Sequence, residues 1–187
     1  MKISGNTIFI PGATSGIGLA LAIALRDKGN KVIVGGRREQ LLRQITAEHP
    51  GIDAVRIDTS DADSIQAVAA QVLAQHPDLN VVITMAGVMK IEDWHAPQSS
   101  LAAAESTINT NVLGTIRLIA AFIEHLQTRP AATIITVSSG LGFTPLKVTP
   151  SYNASKAAIH LLTETLRLQF AGSTVEFKAL QPPAVRT

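Results

Sequence analysis

"IFIPGATSGIGLALA", Ile8 to Ala22, decides how the rest of the chain is read. A short β-branched and aromatic run, Ile8 to Ile10, gives way to Gly12, Gly16 and Gly18, spaced G-x-x-x-G-x-G, and then to apolar residues at helical spacing. The pattern reads as strand, tight turn and helix. Glycines in such a unit allow a sharp turn, let backbone N–H groups approach a pyrophosphate, and let the helix lie close on the sheet; the helix N-terminus adds partial positive charge. Thr14, Ser15 and Ile17, interleaved with the glycines, would border the same ligand. Taken alone, these glycines also suit a turn that needs them only for backbone geometry.

Outward from this unit, similar apolar runs recur near 6–10, 31–35, 54–57, 80–84, 132–138 and 175–180. Each is short and rich in Val and Ile, the pattern of a strand buried on both faces. Between them, Ile17 to Lys28, Arg38 to Glu48, Asp61 to Gln75, roughly Ser100 to Gln127 and roughly Ser151 to Ala171 carry apolar residues at helical spacing. Strict alternation of strand and helix predicts a parallel sheet with helices on both faces. The fourth and fifth helices are longer and richer in Ala, Leu and Ile than one sheet-facing stripe requires, which points to a homodimer or homotetramer packed through them.

Composition narrows the function. At 187 residues, 46% hydrophobic and 16% charged, the chain reads as one domain, 1–187, able to bury a sizeable core. The net charge of +2 is small and its cations are scattered, so nucleic acid is not an expected partner. With no cysteine there is no thiolate metal site and no thiol nucleophile, and the five histidines show no ligand-like spacing. No apolar run approaches the ~18 residues of a membrane span, and no N-terminal signal stands out, so a cytoplasmic location without a membrane partner is expected.

Two further strand ends bear on the ligand. A ribose 2′-hydroxyl is usually held by an acid at the end of the second strand, whereas a 2′-phosphate needs a cation. Here Gly35 and Gly36 leave room and Arg37 and Arg38 follow, which favours NADP(H) over NAD(H). At the third strand end Asp58, followed by Thr59, suits a hydrogen bond from an adenine amino group; its other reading is helix capping, for which Ser60 and Asp61 are better placed. Near the C-terminus, Tyr152 is the sole tyrosine and Lys156 follows one helical turn later, so phenol and ammonium are neighbours on one face. By itself that pair also describes an ordinary surface helix.

Together, Gly12, Gly16, Gly18, Tyr152 and Lys156 resemble the short-chain dehydrogenase/reductase family. "YNASKAA" is typical of it, a serine thirteen residues before the tyrosine falls on Ser139, and "NTNVLGT" places the family's helix asparagine at Asn111. "GGRR" and "MAGV" are similar to the bacterial DltE-type subgroup. The resemblance implies a Rossmann-type doubly wound sheet in strand order 3-2-1-4-5-6, and an enzyme moving hydride between NADP(H) and a small carbonyl or secondary alcohol. It implies Tyr152 as general acid or base, aided by Lys156, with Ser139 binding the substrate oxygen and Asn111 holding a relay water. Ala86 and Gly87 would allow close cofactor approach, while Pro182, Val185 and Thr187 match positions that touch the nicotinamide end. A free phenol titrates near 10, so its use as a base near neutrality requires about 4 kcal/mol of help, which neighbouring positive charge would supply. Departures occur at Pro11-Gly12, Thr84-Met85-Ala86-Gly87 and Pro182-Pro183, and the sequence stops at Thr187, where the family's substrate lobe would be expected to continue. The alternative reading is a non-catalytic dinucleotide-sensing or scaffold protein of the same fold. A methyltransferase is disfavoured, because Arg37 and Arg38 stand where its cofactor ribose would want an acid.

Overall fold

The computed structural model describes residues 1–183, apart from the side chain of Ser99. Strands β1 (Thr7–Pro11), β2 (Lys31–Gly36), β3 (Ile52–Arg56), β4 (Val81–Thr84), β5 (Ala132–Val137) and β6 (Val175–Leu180) form one sheet in the order β3-β2-β1-β4-β5-β6. All five pairings are parallel. Because successive strand residues point to opposite faces, β1 splits between two cores. Phe9 joins Ile33, Val55, Leu118, Phe122 and Ile134 on one face, whereas Ile8 and Ile10 join Val32, Val34, Leu42 and Ile45 on the other. Burial on both faces explains why the strands read as apolar runs rather than alternating ones.

Helices α1 (Gly16–Asp27), α2 (Glu39–Glu48) and α3 (Ala62–Gln75) follow the first three strands. Each boundary lies within a residue of expectation, and Asp61, as anticipated, caps α3 by accepting from the Asp63 N–H at 3.0 Å. The long fourth helix departs from its expected form. It comprises α4 (Pro97–Ile108), a π-helical turn over Asn109–Leu113, and α5 (Gly114–Gln127). Pro97 occupies the first turn, where its missing N–H costs nothing. At the π turn the helix passes over the β3–α3 loop so closely that a Cβ on Gly114 would lie 2.5 Å from the Thr59 carbonyl oxygen. Last comes α6 (Pro150–Gln169), two residues shorter at its end than the apolar pattern suggested, with the chain turning at Gly172, φ +81°.

The order of strands reverses between β1 and β4, so the loops after these two strands diverge to opposite faces. In open α/β sheets the crevice at that point, outside the carboxyl ends of the strands, is where ligands bind.

Candidate active site

At the carboxyl ends of β1 to β4 lies a cleft of about 310 Å³. Its walls include Gly12, Thr14, Ser15, Arg37, Arg38, Asp58, Thr59, Ala86 and Gly87, all expected from sequence. Gly36, Ile57, Met85, Val88 and Thr110 complete it; of these Gly36 carried a signal as the room-making residue before the arginines, and Met85 as a residue after the fourth strand able either to line a pocket or to pack in the core. Gly12 has φ +94° and any Cβ there would strike the backbone of Ala86. Gly16, with φ +55°, and Gly18, packed on the Gly12 carbonyl and Ala13, shape the turn without facing the cleft. Ile17 sits half-buried in the first turn of α1 and is likewise outside the lining. Ser15 precedes α1 in extended conformation, its side chain makes no cap hydrogen bond, and no acid occupies the first turn. No side chain of its own first turn therefore caps that helix end, which begins beside Ser15 of the cleft wall, an arrangement suited to a dinucleotide pyrophosphate.

Charge in the cleft is arranged in opposition. Arg38 donates from Nη2 to Thr14 Oγ1 at 3.3 Å, laying its guanidinium toward the glycine turn. Partial burial works to raise the Asp58 carboxyl, but hydrogen bonds from the Ser60 hydroxyl at 2.6 Å and Ser60 N–H at 2.9 Å outweigh it. With the nearby charges of Arg37 and Arg56, they hold Asp58 below the usual carboxylate range.

A second group of side chains adjoins the cleft through Gly87. A Cβ on that glycine would lie 3.3 Å from Asn111 Oδ1 and 3.6 Å from Lys156 Nζ. Lys156 is buried, donates from Nζ to the Val137 carbonyl at 2.7 Å, and lies 5.6 Å from the centre of the Tyr152 ring. Burial pulls its ammonium down from 10.5 to about 8. Ser139, two residues after β5, opens a 3₁₀ turn, Gly140–Gly142, in which its Oγ accepts from the Leu141 N–H at 3.2 Å. Gly142 lets this turn rest on α6, 3.0 Å separating its Cβ position from the Ala157 nitrogen. Ser138, not singled out from sequence, donates to the Lys156 carbonyl at 2.7 Å and fastens the same strand end to the same helix. The Asn111 amide donates to the Val88 carbonyl at 2.9 Å and to Ser155 Oγ at 3.0 Å, while its oxygen accepts from the Val88 N–H at 2.8 Å. Pro182 follows β6, half-buried, and is not in the cleft wall; Val185 and Thr187 lie outside the described residues.

A family model for short chain dehydrogenases matches residues 6–187. The chain belongs to the short-chain dehydrogenase family. It is a Rossmann-fold, NAD(P)-dependent oxidoreductase, and it is of the DltE type. It is 38% identical over 187 residues to the uncharacterized oxidoreductase DltE of Bacillus subtilis strain 168, spanning all of this chain and 74% of that one. A short chain dehydrogenase from Burkholderia cenocepacia J2315, solved in complex with NADP, superposes with a TM-score of 0.86 at 28% identity, over 100% of this chain and 76% of its own. Another short-chain dehydrogenase, from Burkholderia phymatum in complex with NAD, gives 0.89 at 27% identity, over 99% and 68%. No helix among the described residues is long and apolar enough to cross a membrane, and no three His, Asp or Glu side chains among them converge as a metal cage.

Proposed function

We propose that this short-chain dehydrogenase interconverts a small carbonyl compound and a secondary alcohol with NADP(H), using Tyr152 as the proton donor. The observation that carries the reading is the position of Gly87, on the cleft wall, where an added Cβ would lie 3.3 Å from Asn111 Oδ1 and 3.6 Å from Lys156 Nζ. It joins a cradle suited to a dinucleotide to the Lys156 ammonium, beside which the Tyr152 ring lies. Bound in the cleft, the cofactor supplies or takes up the hydride. Tyr152 gives its proton to the oxygen of the substrate. The charged Lys156, close by on the same helix face, favours the phenolate left behind. One of its three N–H donors is engaged by Val137, which leaves two for ribose hydroxyls or a water. Because Ser139 Oγ accepts from Leu141, its own hydrogen is free to donate to the substrate oxygen. The side-chain amide of Asn111 is fully engaged with Val88 and Ser155, so a relay water would rest on its backbone carbonyl, which also accepts from Thr115 Oγ1.

The preference for NADP(H) rests on Arg37 and Arg38 in the cleft and on the absence of an acid at the end of β2. A panel of ketones and aldehydes, followed by NADPH oxidation, tests the reaction; no turnover on any of them would sink it. Arg37→Ala is expected to weaken NADPH binding at least tenfold and NADH binding less than threefold. Equal losses would refute the 2′-phosphate role. For assembly, exposed Leu161 and Leu168, one heptad apart on α6, and Ile116 on α5 support a homodimer or homotetramer through these helices. Light scattering should then show Leu161→Glu shifting the protein toward monomer; a monomeric wild type would contradict it.

A further inference from the structure

Helix α6 presents Tyr152 from its first turn, yet nothing local in the sequence caps that turn. Thr149 stands at the N-cap position without a capping hydrogen bond to the helix, Pro150 follows, and the first turn contains no acid. The missing acceptor comes from the loop after β4, 59 residues earlier. Glu92 is buried, 6% exposed, and its Oε1 accepts from the Ser151 N–H at 3.2 Å while its Oε2 accepts from the Ser151 hydroxyl at 2.8 Å. The same Oε2 accepts from Trp94 Nε1 at 3.0 Å, and the Glu92 N–H donates to the Val148 carbonyl at 3.0 Å. The carboxylate thus ties the loop after β4 to the residue preceding Tyr152, and the Glu92 backbone N–H ties that loop to the segment leading into α6. A negative charge at this helix end also complements the helix dipole.

We propose that Glu92 is a positioning residue for Tyr152: by capping α6 from the opposite loop, it fixes the phenol relative to the cleft and to Lys156. The proposal rests on Tyr152 being the proton donor, and it concerns only where the phenol is held. Its two oxygens have separate duties. A glutamine of the same size offers a single acceptor, which cannot serve both the Ser151 N–H and the Trp94 indole.

The chain has one tryptophan and one tyrosine, so both ends of the link give single signals. The test compares wild type, Glu92→Gln and Glu92→Ala for NADPH affinity, for kcat and KM on the best carbonyl of the panel, for Trp94 emission, and for the ring resonance of ¹³C-labelled Tyr152. Expected are an NADPH Kd within twofold of wild type, kcat lowered at least tenfold in Glu92→Ala and at least threefold in Glu92→Gln, a red-shifted Trp94 emission, and a displaced Tyr152 resonance. If Glu92→Ala does not fold, Glu92→Gln decides alone. A kcat within twofold of wild type, or NADPH affinity falling in parallel with kcat as in general loss of structure, would overturn the proposal. Should the wild type turn over no carbonyl, the reaction assignment fails separately; a Tyr152 resonance that moves in Glu92→Gln then still supports the positioning role, and one that stays put refutes it.

Discussion

Lys156 carries the largest electrostatic cost in the candidate site. Its ammonium is charged below about pH 8 in the folded chain and below 10.5 when ordinarily solvated. Between those values the unfolded chain holds a proton that the folded chain has released, so this residue's contribution to stability rises with pH across that window. Below about pH 8 both states are charged and the folded state bears the full penalty, roughly 3 kcal/mol at 1.36 kcal/mol per pH unit. Lys156→Met removes that penalty and loses the charged hydrogen bond to Val137, worth about 2 kcal/mol. Thermal melting at pH 7 should therefore find the variant at least as stable as wild type, with its advantage shrinking by pH 10. A variant several degrees less stable at pH 7, with no pH dependence of the difference, would contradict this. The pairing of Tyr152 with Lys156 was readable because four residues in a helix make one turn. The contacts that bury the lysine, through Val137, Ser138 and Gly142, join β5 to α6 and leave no trace in local spacing.

At the level of elements, two glycines in the same cleft are held for different reasons. Gly12 has φ +94° and its would-be Cβ meets the backbone of Ala86, which cannot yield without moving β4's end. Gly36 has an ordinary φ, and a Cβ there meets the methyl of Thr14, which can rotate away. Gly12→Ala should cost at least about 2 kcal/mol, from strain at positive φ and backbone collision, and should abolish cofactor binding. Gly36→Ala should cost less than half as much, as urea unfolding of the two variants would show; equal costs would contradict the packing described. The strands and the first three helices were legible because burial on both faces writes itself as Val- and Ile-rich runs, and because the glycine turn marks where β1 ends. The π turn at Asn109–Leu113 was not. It depends on the fit of Gly114 over Thr59 and on Asn109 donating to the Ser60 carbonyl at 3.0 Å, contacts between segments some fifty residues apart. The capping of α6 by Glu92 escaped sequence reading for the same reason.

Across the whole molecule, the chemistry gathers at one end of the sheet. A larger hollow, about 620 Å³, lies by Asp53 and His76 where β3 begins and α3 ends, and none of the residues with a chemical signal in the sequence lines it. Size does not mark the site; the carboxyl ends of the strands do, since there helix N-termini and strand-end side chains converge. The glycine turn, the arginines after β2 and Asp58 build one wall region, and α6 brings Lys156, with the Tyr152 ring beside it, next to Gly87 on its flank. That arrangement makes binding and proton transfer separable. Tyr152→Phe keeps the ring and its contact with Lys156 but removes the only phenolic hydroxyl in the chain. The decisive measurement is NADPH oxidation by Tyr152→Phe on a carbonyl that the wild type reduces, alongside NADPH binding to both proteins: kcat should fall at least about a thousandfold with the Kd within twofold, whereas a variant that keeps most of its turnover would show that Tyr152 is not the proton donor.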